Sequence, residues 1–255
     1  MTSVTNRIKS VKQPRGGYIP LKQFSTITLD DGKILNSDES VSPGLVGSAV
    51  DYLTRLMNGA QPKEAFKISL NGAYLVGEFD KAISLLDQIV GLDNQSIAAA
   101  CILVGYDVAF RAGAARFMTV DTIHADETTI ENIRIMVQRS LHFFETYGPI
   151  TLDGFTFGSA YTDTITSGDG DFLTKDTLWD FKVIKSKPNK DYTLQVLIYY
   201  LMGIRSNQPE FLSISKLGFF NPRQNIVYQT AIADIPQEVI ETVEKNVIGY
   251  PDYIV

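Results

Sequence analysis

Cysteine and histidine are nearly absent from this chain. The single cysteine, Cys101, excludes an internal disulfide and a four-cysteine iron–sulfur cluster, and its place in the apolar run 97–104 reads it as a small buried hydrophobe. The two histidines, His124 and His142, stand at no metal-ligand spacing, and serine–histidine catalysis has no local signature. Long apolar runs are missing too: the longest is broken at Asp107, too short to span a bilayer, and the opening MTSVTNRIKSVKQ lacks the apolar core of a signal peptide. Neither a phosphate-cradling G-x-x-x-x-G-K-[ST] loop nor a dinucleotide glycine pattern occurs, which removes intrinsic ATPase and dehydrogenase chemistry. Internal repeats and low-complexity stretches are absent, so a solenoid has no support. The expectation left standing is a soluble cytoplasmic protein with no membrane partner.

What is present is enough apolar material for a substantial core: 44% of 255 residues are hydrophobic. The net charge of −6 argues against a protein that coats nucleic acid nonspecifically, but the charge is unevenly spread. Before Asp30 stand Arg7, Lys9, Lys12, Arg15 and Lys22 and no acidic residue; a second basic cluster comprises Lys182, Lys185, Lys187 and Lys190. Each cluster reads either as phosphate contacts or as a solvated tail or loop.

Three regions follow from the pattern of residues. Residues 1–42, with Pro14, Gly16, Gly17 and the turn Asp30-Asp31-Gly32, read as a basic arm with a short hairpin. Residues 43–147 read as a helical region. Ser42-Pro43 opens a helix that Asn58-Gly59 ends, and apolar spacing predicts further helices over 78–90, 95–112 and 127–147. Residues 148–255 change character, with strands expected at 155–161, 170–175, 177–184, 212–220 and 226–232. Between the third and fourth strands, 191–202 is a strong helix expected to stop at Gly203, and 236–246 reads as a final helix. A hairpin, a crossover helix and further strands imply the α/β class.

The hairpin carries the chemistry. With Asp176 in its turn, pairing brings Asp171 near Asp180, and strand alternation puts Asp180 and Lys182 on one face with Phe181 on the other. Asp169 lies close enough in sequence to compete for the role of Asp171, and Asp163 reads as a loop residue. Two carboxylates are what Mg²⁺ or Mn²⁺ requires of a protein, with water and phosphate oxygens completing the shell. A lysine beside them can orient an attacking water or offset charge developing on a phosphodiester. The plainer alternative is an edge strand with a structural ion pair.

The ordered set Gly168-Asp-Gly-Asp171, Asp180-Phe-Lys182 and Gln195 with Tyr199 resembles the PD-(D/E)XK nuclease superfamily, in particular its RecB-like and exonuclease-like members. These carry a G-x-x-D strand, a D-x-K strand and a Q-x-x-x-Y helix, and 217–223 resembles the strand end that often follows. The resemblance implies a restriction-endonuclease-like core, a mixed central sheet flanked by helices, over 148–255, with a helical N-terminal subdomain. It further implies a Mg²⁺- or Mn²⁺-dependent nuclease acting on DNA: Asp171 and Asp180 hold metal, Lys182 assists the water, and Gln195 and Tyr199 support the site. A protein partner in DNA processing is compatible with it. In many RecB-like members the first helix reads G-x-x-x-H; here Gly47-Ser-Ala-Val-Asp51 has aspartate instead, so Asp51 is either a third metal carboxylate or an exposed helical residue. Tyr199 and Gln195 also read as a core aromatic and a surface amide, and Tyr192 as a helix-start packing residue or a base-stacking ring. The rival to a nuclease is a catalytically inactive module of the same fold that binds nucleic acid or protein; an enzyme acting on RNA or a nucleotide is a third class.

Overall fold

A computed structural model describes residues 2–251. Its helices are α1 Val4–Ser10, α2 Pro43–Met57, α3 Pro62–Ala65, α4 Lys67–Leu75, α5 Phe79–Leu86, α6 Asn94–Leu103, α7 Asp107–Ala112, α8 Glu127–Tyr147, α9 Lys190–Arg205 and α10 Gln237–Thr242. Its strands are β1 Ser25–Thr28, β2 Leu152–Thr156, β3 Asp169–Leu173, β4 Thr177–Phe181, β5 Lys216–Asn221 and β6 Ile226–Ala231. The chain divides into a sheet unit, residues 1–29 with 144–255, and a helical unit, residues 30–143.

In the sheet unit the six strands lie in the order β1-β6-β5-β4-β3-β2. Every neighbouring pair is antiparallel except β4 and β5, which run parallel, with Trp179 opposite Gly218 and Asp180 opposite Phe219. A parallel pair needs a crossover, and α9 supplies it. The mixed sheet with its helices makes this an α/β structure.

Strand alternation separates two apolar faces. Leu178, Leu217 and Phe219 share one core with Leu194, Leu197, Ile198, Leu201 and Met202 of α9 and with Val4 and Ile8 of α1. Each such side chain, fully buried, contributes about 1.5–3 kcal/mol. Phe172 and Phe181 instead meet Phe144, and Trp179 meets Tyr147, both in the last turn of α8.

The helical unit packs Val50, Leu53, Phe66, Ile97, Leu103, Tyr106, Ile133 and Met136 into its interior. Residues 30–42 are fastened along α8: Asn132 exchanges hydrogen bonds with the backbone of Asn36, and Arg139 grips the Asp31 carboxylate at 2.7 and 2.8 Å. The Arg139 side-chain bond holds the Asp31 carboxyl at about 2, against the modest upward push of burial.

Three expectations need correction. Residues 1–42 do not form an arm with its own hairpin. The first 29 residues count with the sheet unit and 30–42 with the helical unit, and β1 pairs with β6 some two hundred residues later. The turn at Asp30 and Asp31 does form, with Asp30 Oδ1 accepting the Gly32 amide at 2.9 Å, but no returning strand follows it. Helix α9 runs through Gly203 to Arg205; a Cβ at 203 would lie 1.9 Å from the Phe211 ring, so this glycine makes room for packing and does not end the helix. The second strand covers 152–156 and not 155–161, since Gly158 at φ 47° turns the chain. Among the described residues no helix is long and apolar enough to cross a membrane.

Candidate functional site

The hairpin β3–β4 is set by its turn. Thr174 donates its amide to the Thr177 carbonyl at 3.0 Å, and the buried Trp179 ring donates Nε1–H to Thr174 Oγ1 at 2.9 Å. Asp176 accepts from Lys216 Nζ at 2.9 Å, which lowers its carboxyl below the usual range, so it is a turn-fixing residue. Register then places Phe172 opposite Trp179 and Leu173 opposite Leu178. One step further along, where the paired ladder stops, stand Asp171 and Asp180.

There the side chain of Asp171 takes over a backbone role: its Oδ2 accepts the Phe181 amide at 2.7 Å. Asp180 is 2% exposed, and its Oδ2 lies 2.6 Å from Lys182 Nζ. The backbone of Lys182 is fixed by its amide donating to the Phe220 carbonyl of β5 at 2.9 Å. Burial alone pushes the Lys182 ammonium down, but the charges of Asp180 and then Asp171 outweigh it and hold the group above its ordinary value. Its Nζ also lies 4.9 Å from the centre of the Tyr192 ring, an aromatic–cation contact at the start of α9.

Helix α9 closes the site. Gln195 and Tyr199, four residues apart, meet: Gln195 Nε2 donates to the Tyr199 hydroxyl oxygen at 2.7 Å. Tyr199 is buried, and burial first, then the charge of Asp180, drive its pKa far above that of a free phenol; Asp171 and Asp169 add to this and Gln195 opposes it. The phenol therefore stays neutral beside the carboxylates. Gly168, at the head of the G-x-x-D stretch, packs against α1, since a Cβ there would lie 2.7 Å from Val4 Cγ2.

Asp171, Asp180, Lys182, Gln195 and Tyr199 are thus gathered within the sheet unit by β3, β4 and α9. Asp169 is exposed at the start of β3 and Asp163 is exposed in the loop before it. Asp51 lies on α2 in the helical unit, where its carboxylate accepts from Arg55 Nε at 3.0 Å. Among the described residues no group of three or more His, Cys, Asp or Glu side chains gathers as a metal cage. The donor set of the site is two hard carboxylates, the number with which Mg²⁺ is commonly held when water and substrate oxygens fill the remaining positions, and to that extent the residues fit the ion.

Two neighbours of this group were not legible in the sequence. Gln13 donates its side-chain amide to Asp191 Oδ1 at 2.7 Å, across a separation of 178 residues, and nothing local to either residue announces it. Asn221 is fully buried as the last residue of β5 and donates to the Ile184 carbonyl at 2.8 Å, fixing the chain that leaves Lys182; the Pro222 that follows it was the available signal.

Fold and geometry define an α/β protein with a buried carboxylate–ammonium pair, a second carboxylate and a neutral phenol at one end of a mixed sheet. Compared with family models, with curated proteins and with solved structures, the chain matches none of them significantly.

Proposed function

We propose that the chain is a divalent-metal-dependent nuclease that hydrolyses DNA phosphodiester bonds on a restriction-endonuclease-like core. The observation that carries this reading is the convergence of Asp171, Asp180 and Lys182 at the ends of adjacent strands, backed by the Gln195–Tyr199 pair. The order of elements supports it as well: the Gly168–Asp171 and Asp180–Lys182 stretches lie on neighbouring antiparallel strands, and the helix bearing Gln195 crosses to a parallel strand.

Asp171 and Asp180 are the residues to hold Mg²⁺ or Mn²⁺, which when bound polarises a phosphodiester and acidifies a bound water. Lys182, kept protonated by two carboxylates, is placed to orient the attacking water or to offset negative charge growing on phosphorus. Tyr199 offers a neutral hydroxyl beside the carboxylates, and Gln195 holds that hydroxyl in place. The test is cleavage of labelled DNA with Mg²⁺ or Mn²⁺ and with a chelator, for the wild type and for Asp180→Asn. Metal-dependent cutting lost in the variant is expected; equal cutting by both proteins removes the reading.

One observation favours a second reading, a non-catalytic module on the same fold that binds nucleic acid or a protein. The 2.6 Å contact already supplies Asp180 with a counter-charge from two residues along the chain, as a purely structural ion pair would. In that case no metal and no substrate, DNA, RNA or nucleotide, yields a product.

A further inference from the structure

Parts of the two basic clusters, Lys12 and Arg15 from one and Lys187 and Lys190 from the other, more than 170 residues apart in sequence, meet on one surface. Gln13 is bonded to Asp191, and Gly17 lies so close to α9 that a Cβ on it would be 2.7 Å from Lys190 Cβ. Since one residue of chain spans at most about 3.6 Å, Lys12 and Arg15, within two residues of these anchors, are held beside Lys190 and the loop 185–189. Lys9, Lys12, Arg15, Lys187 and Lys190 are all exposed, and among the described residues none of them has an ion-pair partner. The acidic side chain in this stretch of α9, Asp191, is the one that receives the Gln13 amide. Arg7 does not belong to the set, because its guanidinium donates to the carbonyls of Asn246 and Val247 at 2.7 and 2.8 Å.

The surface leads to the candidate site. From Gln13 the contacts pass to Asp191, to Tyr192 next along α9, and from the Tyr192 ring to Lys182 Nζ at 4.9 Å. We infer that Lys12, Arg15, Lys187 and Lys190, joined by the Gln13–Asp191 bond, form a track for the phosphodiester backbone of a nucleic-acid strand, delivering it to Asp171 and Asp180. The inference rests on the proposed nuclease reading for where the strand leads, but not for its binding. Exposed cations without partners gain from phosphates by releasing condensed counterions, and four of them predict a salt slope steeper by about 3 for a single strand.

The experiment measures binding of a fluorescein-labelled single-stranded DNA oligonucleotide by anisotropy across a salt series, with chelator present so that nothing is cut. Lys12→Ala/Arg15→Ala/Lys187→Ala/Lys190→Ala is compared with a control bearing the same charge change at exposed Lys63, Lys67, Arg116 and Lys175. The track variant is expected to bind on the order of 100-fold more weakly near ~0.1 M salt and to lose about 3 from the slope, while the control stays within about threefold of wild type. Equal affinity of the two variants overturns the track, as does a polyglutamate chain that the wild type binds more tightly than the oligonucleotide at matched charge, which would mark an acidic protein as the partner. If the track variant loses binding but no metal supports cutting by wild type, the track stands and the nuclease reading falls. Cutting by wild type with undiminished binding by the track variant gives the reverse.

Discussion

Among the described residues each unit of this chain buries one aspartate, Asp107 or Asp180, and the two differ in what surrounds them. In the helical unit Asp107 accepts hydrogen bonds from the hydroxyls of Tyr52 at 2.7 Å and Ser69 at 2.6 Å, with Arg111 3.7 Å away. Burial raises its pKa, the hydroxyl bonds oppose that rise, and α2, α4 and α7 are tied together through one carboxyl. In the sheet unit Asp180 meets an ammonium and has a second carboxylate, Asp171, one register step from the paired ladder. A buried acid met by hydroxyls is explained by packing. A pair of acids sharing one lysine at a strand end concentrates charge beyond what holding two strands together requires. The charge balance divides the same way: residues 30–143 hold 15 acidic and 9 basic residues, a net of −6, whereas the rest of the chain holds 14 of each. The whole negative excess therefore lies in the helical unit, and the unit with the candidate site is neutral.

The largest expected effect contrasts the two aspartates directly. Asp180→Asn or Lys182→Ala should lower the rate of metal-dependent DNA cleavage at least about 100-fold, and Asp107→Asn should leave it unchanged, measured on the same substrate. Removing Lys182 also leaves a buried carboxylate short of its partner, so circular dichroism must show that the variant is folded; Asp180→Asn keeps a polar group in place and serves as the check.

Next in size is packing. Trp179 is the chain's one tryptophan and sits in the sheet unit, so its fluorescence follows that unit while far-ultraviolet circular dichroism follows mainly helices. Phe211→Ala removes a fully buried ring and should cost about 3–5 kcal/mol, read as an earlier fluorescence transition in denaturant. Arg139→Ala should cost the helical unit about 2–3 kcal/mol, read as a shift in the dichroism transition with a smaller shift in fluorescence. Coincident shifts of both probes in both variants would mean that the units unfold as one.

The smallest effect is set by pH. The Asp31 carboxyl titrates at about 2 in the folded chain against 3.8 for an ordinary aspartate, so the stability it contributes is present above 3.8 and drains away as pH falls toward 2. Thermal melts of wild type and Arg139→Ala should therefore converge across that window; a constant gap between them would contradict the assignment.

Local pattern carried much of this structure. The turn at Asp176, the alternation through Trp179, Asp180 and Phe181, and the four-residue step from Gln195 to Tyr199 are all short-range, and each placed its residues as expected. The amino-terminal segment was misread because its partners are distant: β1 finds β6, Val4 and Ile8 join the core on α9, and Gln13 finds Asp191. No periodicity within the first 42 residues encodes those pairings. Gly203 misled for a related reason, since the ring that needs its missing side chain belongs to Phe211, outside the helix. Asp51 was singled out by its place in a G-x-x-x-D stretch; it pairs one turn along with Arg55, an interaction that the sequence also allowed.

The proposed nuclease needs Asp171 and Asp180 together to hold a divalent ion, and titrating Mn²⁺ into the protein while following free Mn²⁺ by electron paramagnetic resonance tests this without any substrate. Binding by the wild type is expected, which Asp171→Asn and Asp180→Asn each abolish and Asp107→Asn leaves intact. Binding of equal strength in all four proteins, or none in the wild type, would contradict it.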